Sequence, residues 1–272
     1  MGHRFGYSVS TRRVVDGASN RLNEGVDHMY LSEPVERRNY YLELVEELAA
    51  KGIAPAMMEV CQRFFDLGIY DNAGQIIGYL ETLAERGISR AMLLLGNIYY
   101  TGKGVKQSYK EAVKWYEMAA EGLDSYGLCN LGYCYYYGRD IDVNYKRAYD
   151  CFSLSAYMQN PNAMYKLGDM FFYGNHVGED KDAAFYWYCE ALDNLDGEDV
   201  VANINYRLGL CYLNGYGTGK NELLALEYLQ TAELEFFRLI EDGDTFAEHT
   251  LPSVKAELKK VREILYKEAE IV

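Results

Sequence analysis

Cysteine is the residue of this sequence with the most varied chemistry, because paired thiols form disulfides, bind zinc and exchange electrons. No two cysteines are separated by two residues, so the C-x-x-C spacing of zinc and redox sites is absent. The cysteines therefore predict neither a zinc site nor a redox centre. They are Cys61, Cys129, Cys134, Cys151, Cys189 and Cys211.

The histidines give no better candidate for a metal site. They are scattered along the chain, and none stands at metal-ligand spacing from another. We interpret them as surface residues, and we predict neither a metal nor a cofactor. They are His3, His28, His176 and His249.

A glycine-rich segment at residues 215–220, GYGTGK, resembles a phosphate-binding loop only superficially. One residue too few separates Gly215 from Gly219, and Asn221 stands where that loop needs serine or threonine. The sequence also has no G-x-S-x-G element and no clustering of serine, histidine and aspartate. It therefore predicts no catalytic residue.

Charge and composition limit the partners that the chain can bind. Lysine and arginine number 27 against 41 aspartates and glutamates, which gives the 272 residues a formal charge of −14. Such a surface repels nucleic acid and anionic lipid. No apolar run approaches the roughly 20 residues that span a bilayer, and the N-terminal residues lack the apolar core of a signal peptide. We expect an acidic, cytoplasmic protein that binds neither nucleic acid nor a membrane.

An internal repeat reveals the elements that must position any functional residue. The pair Leu-Gly recurs at steps of 36, 36 and 41 residues, and an aromatic residue, a glycine and an alanine recur in the same register. The repeat predicts an array of similar units. The four pairs are Leu95-Gly96, Leu131-Gly132, Leu167-Gly168 and Leu208-Gly209.

Each unit has the apolar spacing of two helices. Residues 91–100 predict the first helix of one unit and residues 109–121 the second, with the segment 102–104, GKG, breaking the chain between them. Ser108 and Asn144 are predicted N-caps of second helices. Glycine in the Leu-Gly pair lets two backbones approach, while large residues fill the space opposite. A single pair cannot bury both of its apolar faces, so we expect the pairs to stack.

The segment at residues 91–122, AMLLLGNIYYTGKGVKQSYKEAVKWYEMAAEG, resembles a Sel1-like repeat, a relative of the tetratricopeptide repeat. It has the Leu-Gly pair, a tyrosine three residues later, a Gly-x-Gly-Val loop, a Trp-Tyr pair and a closing Ala-Ala-x-Gly. It departs from the family pattern at Glu111, where the family has lysine, and in a tail one residue short. The resemblance implies an all-α fold, a right-handed α/α superhelical solenoid of stacked helix pairs.

The repeat register divides the chain into three regions. Residues 1–30 are a partly ordered N-terminal extension, residues 31–240 the solenoid, and residues 241–272 an acidic loop and a capping helix that starts near Ser253. A polar-backed terminal helix suits the open end of a stack. Within the solenoid we predict a half-repeat at 34–52, a degenerate repeat at 54–87 and repeats at 89–122, 125–158, 161–194 and 202–234.

The register also bears on the cysteines. Secreted members of this family that staple each repeat with a disulfide need two cysteines at fixed places in every unit. Here Cys61 stands at a glycine place, Cys151 at a tryptophan place, and Cys134 and Cys211 share an apolar place. We interpret the cysteines as small buried residues in a reducing compartment.

The resemblance further implies where a ligand binds. In stacks of this kind the first helix of each pair lines the concave face, and binding residues stand at fixed places around the Leu-Gly pair. Those places bring tyrosines together, and such rigid rings either form a peptide-binding groove or pack under neighbouring helices. The candidate binding residues are Asn97, Tyr100, Tyr133, Tyr136, Tyr137, Tyr165, Asp169, Phe172, Tyr173 and Tyr206.

Charge on the same face indicates the type of partner. Some tetratricopeptide relatives hold a peptide C-terminus with several lysines and arginines, and Asn97 and Arg90 alone do not make such a clamp. We expect a protein or peptide segment with apolar anchors and some basic character.

The leading hypothesis is a non-catalytic scaffold or adaptor for protein–protein interaction, not an enzyme. The alternative is an enzyme resembling secreted Sel1-like proteins that hydrolyse β-lactams, which predicts paired cysteines and an export signal. A third possibility is a homo-oligomer whose groove holds the extension at residues 1–30 of a neighbouring chain.

Overall fold

The computed structural model describes residues 35–67, 72–195 and 200–269, so the extension predicted at residues 1–30 lies outside it. In these ranges the chain forms twelve α-helices and no strand, and none of the twelve has both the length and the hydropathy that crossing a bilayer requires. The helices are α1 (Val35–Ala50), α2 (Ala54–Leu67), α3 (Ala73–Glu85), α4 (Ser89–Thr101), α5 (Tyr109–Glu121), α6 (Ser125–Tyr137), α7 (Tyr145–Tyr157), α8 (Pro161–Tyr173), α9 (Lys181–Asp193), α10 (Val201–Asn214), α11 (Glu222–Glu241) and α12 (Thr245–Ala269).

Consecutive helices pack as pairs that stack in series. Helix α4 packs on α5, α6 on α7, α8 on α9 and α10 on α11, and the second helix of each pair packs on the first helix of the next. One apolar core runs from Val45 in α1 to Cys211 in α10, and a second cluster joins α10, α11 and α12. The predicted all-α, right-handed solenoid is confirmed.

The glycine of the Leu-Gly pair sets the spacing within a helix pair. A Cβ atom on Gly96 would lie 2.3 Å from the ring of Tyr116, and one on Gly168 would lie 2.5 Å from the ring of Tyr188. Both rings are buried. Because protein interiors are close-packed, a larger residue at either position would push the two helices apart.

Side-chain caps fix where the second helices begin. The predicted N-caps Ser108 and Asn144 are confirmed, since each accepts a hydrogen bond from the backbone N–H three residues later, at 3.3 and 3.0 Å. Asp180 and Asn221 do the same for α9 and α11 at 2.9 and 3.0 Å. Each capped start satisfies a backbone N–H that the helix itself leaves free.

The C-terminal helix begins earlier than the sequence predicts. Residues 241–252 were expected to form a loop, but α12 starts at Thr245 and contains Pro252. Asp244 accepts hydrogen bonds from two backbone N–H groups of the first turn, at 2.7 and 3.1 Å, and Ala247 is fully buried. This capping and burial offset the backbone hydrogen bond that the proline cannot donate.

Candidate functional site

The first helices α4, α6, α8 and α10 form one surface, which we call the first-helix face. Side-chain hydrogen bonds join each of these helices to the next, across the second helix that separates them in sequence. The donors and acceptors are Asn130 to Asn97 at 3.1 Å, Lys166 to Tyr137 at 3.2 Å, and Arg207 to Asp169 at 2.8 Å.

Three charged residues lie under the middle of this face, and we call them the buried charge cluster: Lys166, Asp169 and Arg207. The Nζ atom of Lys166 lies 3.2 Å from Oδ2 of Asp169, and Nε of Arg207 lies 2.8 Å from Oδ1. The hydroxyl of Tyr188 also donates to Oδ1, at 3.0 Å. Lys166 and Asp169 are each only 3% exposed. Charges at that depth persist because they are paired and hydrogen-bonded.

All three groups of the cluster are charged at neutral pH. Burial favours a lower pKa for Lys166 and for Arg207, but Asp169 and the neighbouring tyrosines together outweigh burial and raise both pKa values well above their ordinary range. Burial likewise favours a higher pKa for Asp169, but Arg207 and Lys166 together hold that pKa below its usual value. The cluster therefore carries a net charge of +1 within a chain whose formal charge is −14.

Four tyrosine rings surround the ammonium group of Lys166. Its Nζ atom lies 4.6 Å from the ring centroid of Tyr136, 5.3 Å from Tyr137, 5.4 Å from Tyr165 and 5.5 Å from Tyr133. At these distances the negative faces of the rings attract the cation. The lysine thus holds four aromatic side chains of α6 and α8 around one point.

Arg207 is placed differently, at the edge of the face. Its side chain is 15% exposed, and its guanidinium lies 5.4 Å from the ring of Tyr173 and 5.7 Å from that of Tyr206. In the described ranges its hydrogen bond comes from Nε, and the two terminal nitrogens form none. The guanidinium is therefore fixed by Asp169 along one side and open along another.

A neutral version of the same arrangement joins the units at residues 89–122 and 125–158. Oδ1 of Asn97 accepts hydrogen bonds from the Tyr116 hydroxyl at 2.9 Å and from Asn130 at 3.1 Å. These three residues stand at the repeat places of Asp169, Tyr188 and Arg207. Together with Tyr100 and Tyr133 they line a cavity of about 230 Å³.

A larger depression, of about 480 Å³, lies at the far end of the chain between α11 and α12. Its lining is mostly long charged side chains, including Lys255, Lys259, Arg262 and Glu263. Such side chains are hydrated and change rotamer readily, so this depression offers less fixed geometry than the first-helix face does.

The candidate binding residues differ in how much of each side chain is exposed to solvent. Tyr137 and Tyr173 are 48% and 52% exposed. Tyr165 and Asp169, at 7% and 3%, are buried, so the structure places these two candidates beneath the surface that a ligand would contact. Both residues support the face from below, because Tyr165 packs on the Lys166 ammonium and Asp169 forms an ion pair with it. The intermediate candidates are Asn97, Tyr100, Tyr133, Tyr136, Phe172 and Tyr206.

Among the candidate aromatic residues the structure forms two groups of rings. The ring centroid of Tyr136 lies 4.9 Å from that of Tyr137, and the ring centroid of Tyr137 lies 6.1 Å from that of Tyr133. The ring of Phe172 lies 5.0 Å from that of Tyr173, and its other neighbours are Lys181 of the same unit and Tyr216 of the following unit. Phe172 therefore contributes to the packing between units more than to the open surface. The first group and Tyr173 form the aromatic part of the first-helix face.

The sequence analysis missed Lys166 and Arg207. Both stand one place before a Leu-Gly pair, where the first unit has the buried Leu94. A change from leucine to a cation at a buried place of the repeat was the signal that could have identified them. The sequence analysis therefore counted two cations too few on the first helices, of which Lys166 is buried and Arg207 is partly exposed.

All six cysteines are free, and we predict that they react slowly in the native protein. Burial raises their pKa values, so almost no thiolate forms at about pH 8. We expect fewer than about one thiol per chain to react with Ellman's reagent before the protein is denatured, and all of them afterwards. Rapid reaction of two or more thiols in the folded chain would contradict the prediction. The pKa rises to about 11 for Cys151 and to about 12 for Cys61, Cys134, Cys189 and Cys211.

The repeats match a known family. The family model described as Sel1 repeat matches residues 89–122, 125–160, 161–194 and 205–233. The register of the Leu-Gly pairs places the same units at 89–122, 125–158, 161–194 and 202–234. No curated protein matches the chain.

Two solved structures share the fold. One is c5321, a protective antigen present in uropathogenic Escherichia coli strains that displays an SLR fold, with 24% identity and a TM-score of 0.60 over 84% of this chain. The other is a Sel1 repeat protein from Oxalobacter formigenes, with 23% identity and a TM-score of 0.58 over 79% of this chain. The chain spans 56% and 59% of the lengths of these two proteins.

Proposed function

This chain is a Sel1 repeat protein, and on that premise we propose that it is a non-catalytic scaffold whose first-helix face binds a peptide or protein segment. Sel1 repeats form helical modules of protein–protein interaction. In stacks of this kind the first helices line the concave side, where an extended segment can contact several repeats at once. The proposal therefore places the partner across α6, α8 and α10.

The observation that carries the proposal is a pair of half-exposed tyrosines supported from below by cations. Tyr137 accepts a hydrogen bond from Lys166 at 3.2 Å, and the ring of Tyr173 lies 5.4 Å from the guanidinium of Arg207. A ring that is already held in place loses little conformational entropy when a partner covers it. Fixed tyrosines of this kind supply large contact areas at interfaces.

The free thiols favour the scaffold over the enzyme alternative. An enzyme resembling the secreted β-lactam-hydrolysing relatives needs paired cysteines, whereas every cysteine of this chain is unpaired. Unpaired, buried thiols also support our proposal that the protein works in a reducing compartment such as the cytoplasm.

We predict that the double variant Tyr137→Ala and Tyr173→Ala loses its partner. Removing two anchor rings from the centre of an interface weakens binding by about tenfold or more. The measurement is capture of native proteins on immobilised chain, with the captured proteins quantified by mass spectrometry. The variant is expected to retain about a tenth or less of any protein that the wild type retains specifically.

The matched control is the double variant Tyr40→Ala and Tyr157→Ala. These tyrosines are 69% and 86% exposed and lie on α1 and α7, outside the first-helix face. The control should capture the same proteins as the wild type. Equal capture by both double variants, with unchanged circular dichroism, would remove the first-helix face as the binding surface.

A further inference from the structure

The first helices differ from the rest of the chain in charge. Helices α4, α6, α8 and α10 contain one acidic residue, Asp169, and three basic residues, Arg90, Lys166 and Arg207. The second helices α5, α7, α9 and α11 contain twelve acidic and six basic residues. The excess negative charge of the chain is therefore absent from the first-helix face.

The carboxylate of the single acidic residue of this face is occupied by partners within the molecule. Asp169 is buried and bonded to Lys166, Arg207 and Tyr188, so its charge is neutralised within the molecule. Two cations share that one carboxylate, which leaves one positive charge without a counter-ion beneath the tyrosines. An isolated cation in a low-dielectric site attracts an anion more strongly than a hydrated cation does.

The uncompensated charge reaches the surface at Arg207. Its Nε atom is bonded to Asp169, which fixes the plane of the guanidinium, and its terminal nitrogens form no hydrogen bond within the described ranges. Two terminal nitrogens in a fixed plane match the two oxygens of a carboxylate. The flanking rings of Tyr173 and Tyr206 exclude water from the sides of the guanidinium.

A second arginine lies beside the other group of rings. Arg139 follows α6, and its guanidinium lies 5.2 Å from the ring of Tyr109 and 6.0 Å from that of Tyr137. Its Nε atom is buried and has no hydrogen-bond partner in the described ranges. An arginine thus lies beside each of the two exposed tyrosines, Tyr137 and Tyr173.

We propose that the first-helix face binds an acidic polypeptide segment, one of whose carboxylates pairs with the terminal nitrogens of Arg207 between Tyr173 and Tyr206. This inference rests on the proposed function and specifies the chemistry of the partner. It differs from the expectation of a segment with some basic character, for which Asn97 and Arg90 alone were counted on this face. The local charge of the face decides the preference, because exposed charges more than about 10 Å away are screened by salt.

The test uses a bead-displayed library of random peptides incubated with labelled full-length protein at physiological salt. Aspartate and glutamate are expected to be enriched severalfold among the retained peptides, next to aromatic or aliphatic residues. The variant Arg207→Gln should lose the acidic enrichment and keep the apolar one. The variant Lys110→Gln, which removes an exposed cation of the second helix α5 outside the face, should keep both.

A second measurement on the unmodified protein keeps the test independent of variant folding. A retained peptide with its acidic residue changed to the matching amide should bind about tenfold more weakly. Retained peptides that show no acidic preference, or a basic one, would overturn the inference and leave the proposed function standing. Failure to retain any peptide would count against the proposed function itself.

Discussion

Replacing Asp169 with leucine should lower the free energy of unfolding by about 3–5 kcal/mol, the typical cost of removing one partner from a buried ion pair. The change leaves Lys166 and Arg207 buried with no carboxylate between them. It also removes the acceptor of the Tyr188 hydroxyl. The measurement is urea unfolding followed by circular dichroism, compared with the wild type.

Two further variants test whether the loss arises from unpaired charge. Asp150→Leu, at an exposed position on α7, should change the free energy of unfolding by less than about 0.5 kcal/mol. The triple variant Lys166→Met, Asp169→Leu and Arg207→Met should recover most of the stability lost in Asp169→Leu, because a buried ion cluster can often be replaced by apolar residues at little cost. Equal effects of Asp169→Leu and Asp150→Leu would show that the cluster contributes nothing to stability.

The same carboxylate gives the stability a dependence on pH. Burial acts to raise the pKa of Asp169, but Arg207 and Lys166 prevail and the pKa in the folded chain is lowered. A lowered pKa means that the charged form stabilises the folded chain at pH values above about 3.9, the ordinary value for aspartate. This contribution is lost as the pH falls through the lowered pKa. The stability difference between the wild type and Asp169→Leu should therefore shrink in strong acid.

Replacing Gly168 with alanine should also destabilise the protein, although alanine is the better helix former. The new Cβ atom would lie 2.5 Å from the ring of Tyr188, whose hydroxyl is bonded to Asp169. Forcing one methyl group into a packed core costs about 1–3 kcal/mol. Because the ring that the Cβ meets is fully buried, we expect the upper part of that range, which exceeds the roughly 1 kcal/mol gained in helix propensity. Urea unfolding should therefore show a lower midpoint for Gly168→Ala.

Gly78→Ala is the matched control for this substitution. Gly78 lies in α3, is exposed, and its Cβ would meet no atom within 4 Å. Without a clash, only the helix propensity changes, so Gly78→Ala should raise the free energy of unfolding by about 0.5–1 kcal/mol. If Gly168→Ala raises the midpoint as Gly78→Ala does, then the glycine column is not a packing requirement.

The positions at which the helices begin show how much of the structure the local sequence can predict. Ser108 and Asn144 act as caps as predicted, because capping depends on residues only three positions apart. The start of α12 was predicted wrongly, because Pro252 favours a loop in isolation. The burial of Ala247 in the cluster with α10 and α11 is a tertiary effect that the local sequence does not contain.

The sequence by itself determined the repeat, the helix pairs and the small-against-large packing within each pair. All of these depend on periodic spacing along one short segment. Only the tertiary structure decided that Lys166 and Arg207 share Asp169, since Asp169 and Arg207 are 38 residues apart and lie in different units. Helical periodicity fixes which residues share a face, but the way in which stacked units pack against one another fixes which side chains meet.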